Sequence, residues 1–159
     1  METPAILISQ YLASLEMLKQ TITQCPESIW NAQADRNKFW HTAYHALFFT
    51  HLYVSDSEET FSPWIKHRAG YEDFEGLKDF VPYEKETILE YLSFCQHEVA
   101  GRLPRMHLDE QEGFGDRTMS KFELQIYSIR HIMQHAGELM ERLGSRTGAE
   151  IDWVGWKHD

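Results

Sequence analysis

The sequence predicts an all-α fold: a four-helix bundle with a long crossover connection between the second and third helices. Apolar residues recur at three- and four-residue steps in four segments, which is the spacing of helices that bury one face. The connection between the second and third segments, residues 57–82, is longer than is usual in a compact domain. A bundle accommodates such a connection as a crossover along its helices. We therefore expect a single domain over residues 1–159.

The first helix is expected over residues 4–24, with Thr3 as a capping hydroxyl and Pro4 at the first helical position. Cys25 should end this helix, because the residue before a proline avoids helical geometry. The apolar stripe of the helix consists of Ile8, Tyr11, Leu12, Leu15, Leu18 and Ile22.

The second helix is expected over residues 35–55 and is apolar almost all the way round, which indicates burial on most sides. Its uncharged run, residues 39–55, is near the lower length limit of a membrane span. The histidines and threonines within this run favour a buried bundle helix instead. His41 and His45 share one face, whereas His51 lies on another.

The connection 57–82 mixes acidic residues with aromatic ones and is interrupted by Pro63, Gly70 and Pro82. We interpret it as a crossover anchored by its aromatic side chains, and a lid over a substrate is the alternative. These aromatic residues are Phe61, Trp64, Tyr71, Phe74 and Phe80.

The third helix is expected over residues 83–103, before Pro104. The fourth helix is expected over residues 120–143. Ser120 opens a capping box with the glutamate three residues later, and Gly144 is the expected terminator.

The fourth helix and the tail both carry apolar surface that needs a partner. One face of the helix holds His131 and His135, and the opposite face is also apolar, so a second subunit is expected there. The tail, residues 145–159, is expected to dock on the body and to bury Trp153 and Trp156.

Composition excludes several classes of partner. The formal net charge of -10 argues against nucleic acid and against an anionic membrane surface, which both require clustered lysine and arginine. Cys25 and Cys95 are far apart, which predicts a reducing, cytoplasmic compartment without disulfides. The first residues lack the basic segment of a secretory signal.

The histidine pattern predicts a metal site. His131 and His135 lie one helical turn apart and can reach one ion, and His41 or His45 could supply a third ligand from the second helix. Three protein ligands leave a coordination position for water or substrate, as in catalytic sites. The chain holds nine histidines, so the alternative is a hydrogen-bonded histidine pair in a helix interface.

Other residues extend this hypothesis. Glu138 is a candidate hydrogen-bond partner of a ligand or a general base, and its alternative is a solvated helix acid. Arg130 and Arg142 could hold an anionic substrate, although surface charge is the more ordinary role. The sequence contains no nucleophile elbow, no P-loop and no dinucleotide fingerprint.

The chain resembles the DinB/YfiT-like superfamily of metalloenzymes in three stretches: FWHTAYHALFFTHLYVS, SKFELQIYSIRHIMQHAGEL and the IDWVGW tail. The resemblance implies that His45, His131 and His135 bind a divalent ion, zinc or nickel above all, with iron or manganese as alternatives. It also implies a homodimer. Relatives include bacillithiol- or mycothiol-dependent S-transferases and a maleylpyruvate isomerase.

Two functional classes follow. The first is a metalloenzyme in which a water or a low-molecular-weight thiol attacks a small-molecule electrophile, as an S-transferase or a hydrolase. The second is a non-catalytic bundle whose metal or histidines serve stability or partner binding. A pocket at the histidines would favour the first, and a sealed site with a fourth protein ligand the second.

Overall fold

The structure, a computed structural model, is all-helical over the residues that it describes, which are 2–75, 79–111, 113–115 and 118–158. Within these ranges the chain forms no strand, and Gln111 and Ser120 make an isolated antiparallel bridge. The expected all-α class is therefore confirmed. The helices are α1 (Thr3–Gln24), α2 (Glu27–Trp30), α3 (Phe39–Tyr53), α4 (Lys85–Arg102) and α5 (Lys121–Thr147), with a 3₁₀ helix at Leu103–Arg105.

The four long helices surround one apolar core, in which α4 and α5 each pack against both α1 and α3. Tyr11 donates a hydrogen bond to Gln125 Oε1 at 2.7 Å, so α1 and α5 begin at the same end. Gln125 Nε2 donates to the carbonyl of Tyr53 at 2.9 Å, so α3 ends where α5 begins. The largest fully buried side chains are Trp40, Tyr11, Tyr44, Tyr91, Phe39, Leu15, Leu18, Ile22, Leu47, Ile88, Leu92 and Leu103.

The direction of α4 explains the long connection. Lys85 donates to the carbonyl of Cys25, which places the start of α4 at the end of α1. Trp40 and Tyr83 lie 6.1 Å apart between ring centroids, so α3 and α4 start at the same end. Two successive helices that run in the same direction require the chain to return along their length between them. Residues 76–78 of this return lie outside the described part of the chain.

The aromatic residues of the connection pack against the helices. The ring of Trp64 stacks on Tyr91 of α4 with centroids 4.4 Å apart. Phe61 packs on Phe48 of α3, and Phe74 packs on His45. This side of α3 is therefore covered by the connection.

Three helix starts differ from the expected ones, and that of α4 is at Lys85 rather than residue 83. Glu2, and not Thr3, precedes the first turn of α1, and no side chain caps that end. The second expected helix starts at Phe39 rather than residue 35. The ammonium group of Lys38 donates to three carbonyls just before the helix, which satisfies these carbonyls in a turn.

The fourth expected helix starts as predicted and ends later. Ser120 is the N-cap of α5, and its hydroxyl accepts a hydrogen bond from the Glu123 amide at 3.2 Å. Gly144 lies inside the helix, which ends at Gly148 with φ 72°. A glycine favours a helix end but does not impose one. Arg146 pairs with Asp35 across the structure and so holds this last turn.

The expectation that the tail tryptophans are buried is wrong. Trp153 and Trp156 are 77% and 70% exposed. The tail instead lies along α1 and makes polar contacts with it. Glutamine side chains of α1 form hydrogen bonds with the tail backbone, and a glutamate of α1 pairs with a lysine of the tail. These pairs are Gln24–Glu150, Gln20–Asp152, Gln10–Gly155 and Glu16–Lys157.

The homodimer stays a prediction. Phe122 and Ile126 on the outer face of α5 are 39% and 42% exposed, whereas Ile129 and Met140 pack against the core.

No helix among the described residues has both the length and the apolarity to cross a membrane. Most residues of α3 are buried within the protein.

The cap of α5 should contribute measurably to stability. Replacing Ser120 by alanine removes the acceptor of the Glu123 amide, so we expect a loss of about 1 kcal/mol in the free energy of unfolding. Urea unfolding followed by circular dichroism measures this change. Ser93→Ala on the exposed face of α4 is the control and should cost nothing. Equal stability of the two variants would contradict a working cap.

Candidate metal centre

Three histidines converge between α3 and α5. His131 Nε2 lies 3.2 Å from His45 Nε2 and 3.1 Å from His135 Nε2. All three candidate ligand nitrogens lie within 4.8 Å of one another. Two nitrogens that each lie about 2.0–2.1 Å from one ion are about 2.9–3.4 Å apart in ordinary coordination geometries. The cluster is therefore close enough to hold a divalent ion.

The outer nitrogens of two of these rings define their tautomers. His45 Nδ1 lies 2.6 Å from the carbonyl oxygen of Glu72, and His135 Nδ1 lies 3.1 Å from Glu138 Oε2. Neither a carbonyl nor a carboxylate can donate, so each Nδ1 carries the hydrogen. The Nε2 atoms of His45 and His135 consequently present lone pairs toward the centre, which is the form that binds a metal.

No arrangement of hydrogen bonds with the residues that the structure describes satisfies both ring nitrogens of His131. Its Nε2 can donate to only one of the two facing lone pairs. Its Nδ1 is buried and makes no hydrogen bond with any residue that the structure describes. If Nδ1 carries the hydrogen, three lone pairs face one another at the centre. A cation at that point would convert this repulsion into attraction, so the donor set fits a divalent ion.

The electrostatics keep two of the three ligands unprotonated. The pKa of His45 is lowered to about 4 by burial and by the nearby rings of His135 and His41, against the opposing effect of the hydrogen bond to the Glu72 backbone. The pKa of His131 is lowered to about 3 by burial and by the nearby rings of His135 and His45. Both rings are neutral at pH 7, as metal ligands must be.

Aromatic rings enclose the cluster. Phe74 stacks on His45 with centroids 4.2 Å apart, and Phe49 lies 4.8 Å from His45 and 5.7 Å from His131. Tyr127 is parallel to His131 within 6° at 6.4 Å. These rings hold the imidazole planes and exclude water from their faces.

The structure separates His41 and His51 from the cluster. His41 Nε2 is bonded to the carbonyl of Tyr71 at 2.8 Å, so this ring faces the connection. His51 Nδ1 contacts the hydroxyl of Tyr91 at 3.2 Å on the opposite side of α3. Of the two second-helix candidates that the spacing left open, His45 is therefore the one that meets His131 and His135.

The other candidate residues divide by position. Glu138 contacts His135, which fits a partner that orients a ligand. Arg142 donates to the carbonyl of Asn37 and to Asp35, so its guanidinium is engaged in joining α5 to the turn before α3. Arg130 is exposed on α5.

A pocket of about 560 Å³ lies near the centre, although none of the three histidines lines it. It is lined by residues of the turn at 31–38, by Trp40 and His41 of α3, and by Phe74, Asp79 and Phe80 of the connection. Phe74 both lines this pocket and stacks on His45, so the pocket and the cluster share this ring. Sequence patterns pointed to Phe74 only as an anchor, and a backbone carbonyl such as that of Glu72 carries no sequence signal.

Comparisons with protein-family models, with curated proteins and with solved structures found no match to this chain. The resemblance to the DinB/YfiT-like superfamily therefore stays a prediction.

The lowered pKa values should make the metal-free protein acid-sensitive. Below pH about 6.5 the unfolded chain binds protons at these histidines, whereas folded His45 and His131 remain neutral down to about pH 4 and 3. The free energy of unfolding should therefore fall as the pH drops below about 6.5. Urea unfolding of chelator-treated protein across this range measures the slope.

A variant isolates the contribution of one ring. His131→Asn removes a group that takes up one proton when the protein unfolds in acid. The free energy of unfolding of this variant should therefore fall less steeply with decreasing pH, with a slope smaller by up to about 1.4 kcal/mol per pH unit. His97→Asn, at an exposed position of α4, should keep the parental slope. Identical slopes for the parent and the His131 variant would show that His131 titrates normally in the folded protein.

Proposed function

We propose that this chain is a divalent-metal-dependent enzyme of the DinB/YfiT-like kind, with His45, His131 and His135 as the ligands. The observation that carries the proposal is the convergence of three Nε2 atoms, two of them with their Nδ1 hydrogens committed to acceptors. A packed core rarely brings lone pairs together without a cation or a proton between them. We further propose that the helices form the four-helix bundle with a crossover that the resemblance implies.

The chain's own residues have distinct roles in this proposal. The Glu72 carbonyl and the Glu138 carboxylate hold His45 and His135, and such hydrogen bonds make the ligating nitrogen more basic. When bound, the ion supplies a coordination position for a water or a thiol and lowers the pKa of its occupant. Phe74 shields the ring of His45 on the side of the pocket.

The donor set favours zinc or nickel, because imidazole suits borderline divalent ions, and iron or manganese are the alternatives. An enzyme is favoured over a structural site by two features. No fourth acidic, cysteine or histidine ligand joins the three histidines within the described ranges. A pocket is also close by: none of the three histidines lines it, but Phe74, which stacks on His45, does. We assign the substrate as a small-molecule electrophile, and the reaction as thiol-dependent S-transfer or hydrolysis.

Metal analysis tests the ligand set. The purified parent should bind one divalent ion per chain. His131→Ala and His135→Ala should each lose most of it, because two remaining imidazoles hold an ion weakly. Elemental analysis after dialysis and titration with Co²⁺ or Zn²⁺ measure the stoichiometry and the affinity.

Two histidines of α3 are the controls. His41→Ala and His51→Ala should retain the metal, because these rings contact Tyr71 and Tyr91 rather than the cluster. A variant with all three ligands replaced that still bound metal like the parent would place the site elsewhere. The histidines would then be hydrogen-bonded core residues.

The reaction class is tested on the metal-loaded protein. A thiol with an alkyl halide should give a thioether and free halide if the protein is an S-transferase, and halide release reports this. Hydrolysis of an activated ester without thiol would instead support a hydrolase. Metal binding without either activity, across a panel of both substrates, would favour the non-catalytic alternative.

Phe74 should control access to the bound ion. Phe74→Ala removes the ring that lines the pocket and stacks on His45, so we expect a chelator to extract the metal several-fold faster. Absorbance of a coloured chelator complex measures the rate. Phe61→Ala removes an aromatic ring of the same connection that packs on His51, and should leave the rate unchanged. Equal rates for the two variants would exclude this access route.

A further inference from the structure

A second polar cluster lies behind His45, on the same helix. Tyr44 OH and His67 Nδ1 are 2.6 Å apart, and His67 Nε2 lies 3.6 Å from Glu72 Oε2. The cluster returns to the candidate metal centre, because the carbonyl of Glu72 accepts the Nδ1 hydrogen of His45 at 2.6 Å. A path of contacts therefore leads from Tyr44 through His67 and Glu72 of the connection to His45, the next residue of α3.

The chemistry of the groups gives the chain a direction. The contact between His67 Nε2 and Glu72 Oε2, at 3.6 Å, is longer than a hydrogen bond. The negative charge of the Glu72 carboxylate still favours the His67 tautomer that directs its N–H toward Glu72, with the hydrogen on Nε2. Neutral His67 then has a lone pair on Nδ1, and Tyr44 donates to it. Burial lowers the pKa of His67 against the opposing charge of Glu72, which is consistent with a neutral ring.

The surroundings make this chain rigid. Tyr44 is fully buried and stacks on Tyr83 at 4.9 Å, and the ring of His67 lies 5.1 Å from Phe48. Glu72 Oε2 is buried and makes no hydrogen bond with any residue that the structure describes, so His67 Nε2 at 3.6 Å is its polar neighbour. The Glu72 side chain is thus confined beside His67.

The Glu72 backbone needs such an anchor. Residues 71–75 belong to no helix or strand, so the ladder of a regular element does not hold the Glu72 carbonyl in place. A change of this carbonyl's position would release the Nδ1 hydrogen of His45 and let the ring adopt its other tautomer. Ligand orientation in metal sites commonly depends on such outer hydrogen bonds.

We propose that Tyr44, His67 and Glu72 form a positioning chain that holds His45 in its metal-binding tautomer, with His67 as the central residue. The inference rests on the proposed metal site. His67 is a positioning residue in it: it contacts neither the ion nor a ligand and acts through the main chain of Glu72.

The test uses a readout that does not require metal. Long-range ¹⁵N NMR of the chelator-treated protein should show His45 with its hydrogen on Nδ1 alone. His67→Leu should give a mixture of tautomers at His45, because the Glu72 side chain loses its partner. In Zn²⁺ titrations the same variant should bind about 10- to 100-fold more weakly.

Matched variants separate positioning from general damage. His51→Leu breaks another buried histidine–tyrosine contact, that with Tyr91, and should leave the His45 tautomer and the zinc affinity unchanged. His67→Gln keeps a donor toward Glu72 and should recover most of the affinity that His67→Leu loses. Tyr44→Phe keeps the ring and should lose affinity several-fold, with little further loss when combined with His67→Leu.

The outcomes are distinct. A parental His45 spectrum and parental affinity in His67→Leu would overturn the positioning chain while leaving the metal site intact. Failure of the parent to bind any divalent ion would overturn the metal site, and the spectra of metal-free protein would still decide whether His67 holds His45. If His67→Leu does not fold, the Gln and Phe variants decide by the same two readouts.

Discussion

The structure depends on a single constraint: a helix that is buried on nearly every side carries many polar groups, and each of them needs a partner. The helix α3 brings Tyr44 and three histidines into the interior of the protein. An unpaired polar group there costs several kcal/mol in an apolar medium, or about 1–3 kcal/mol by mutational measures. The connection between α3 and α4 meets most of this need, through the carbonyls of Tyr71 and Glu72 and the ring of His67.

This constraint gives the long connection a structural reason. α3 and α4 begin at the same end, so the chain must return along the helices in any case. On its way it places carbonyls opposite imidazoles and aromatic rings over the faces of the histidines. The same residues that cover α3 thereby become the outer hydrogen-bond partners of the proposed metal ligands.

At the centre, the polar groups are not all satisfied by the residues that the structure describes. His45 and His135 use their outer nitrogens on protein acceptors, whereas the buried Nδ1 of His131 has no partner in this part of the chain. Burial and mutual repulsion of the rings both oppose protonation, so acid does not readily supply the missing positive charge. A divalent ion would supply it at neutral pH, which is the physical argument for the proposed function.

The sequence by itself determined the helical class, the four long segments and the pair His131 and His135, because each rests on local spacing along one helix. The cap at Ser120 is local in the same way and was predicted correctly. The end of α5 at Gly148 was not, because Gly144 is only a weak local signal and a distant pair between Arg146 and Asp35 holds the next turn.

Only the tertiary structure decided between His41 and His45, which share a face of one helix. The choice depends on how α3 is positioned against α5 and on which carbonyl of the connection meets each ring. The exposure of Trp153 and Trp156 is also a tertiary outcome, since polar groups of α1 hold the tail backbone without burying its indoles. Local patterns record which residues prefer the interior, whereas packing between distant segments determines which of them reach it and which partner each one meets.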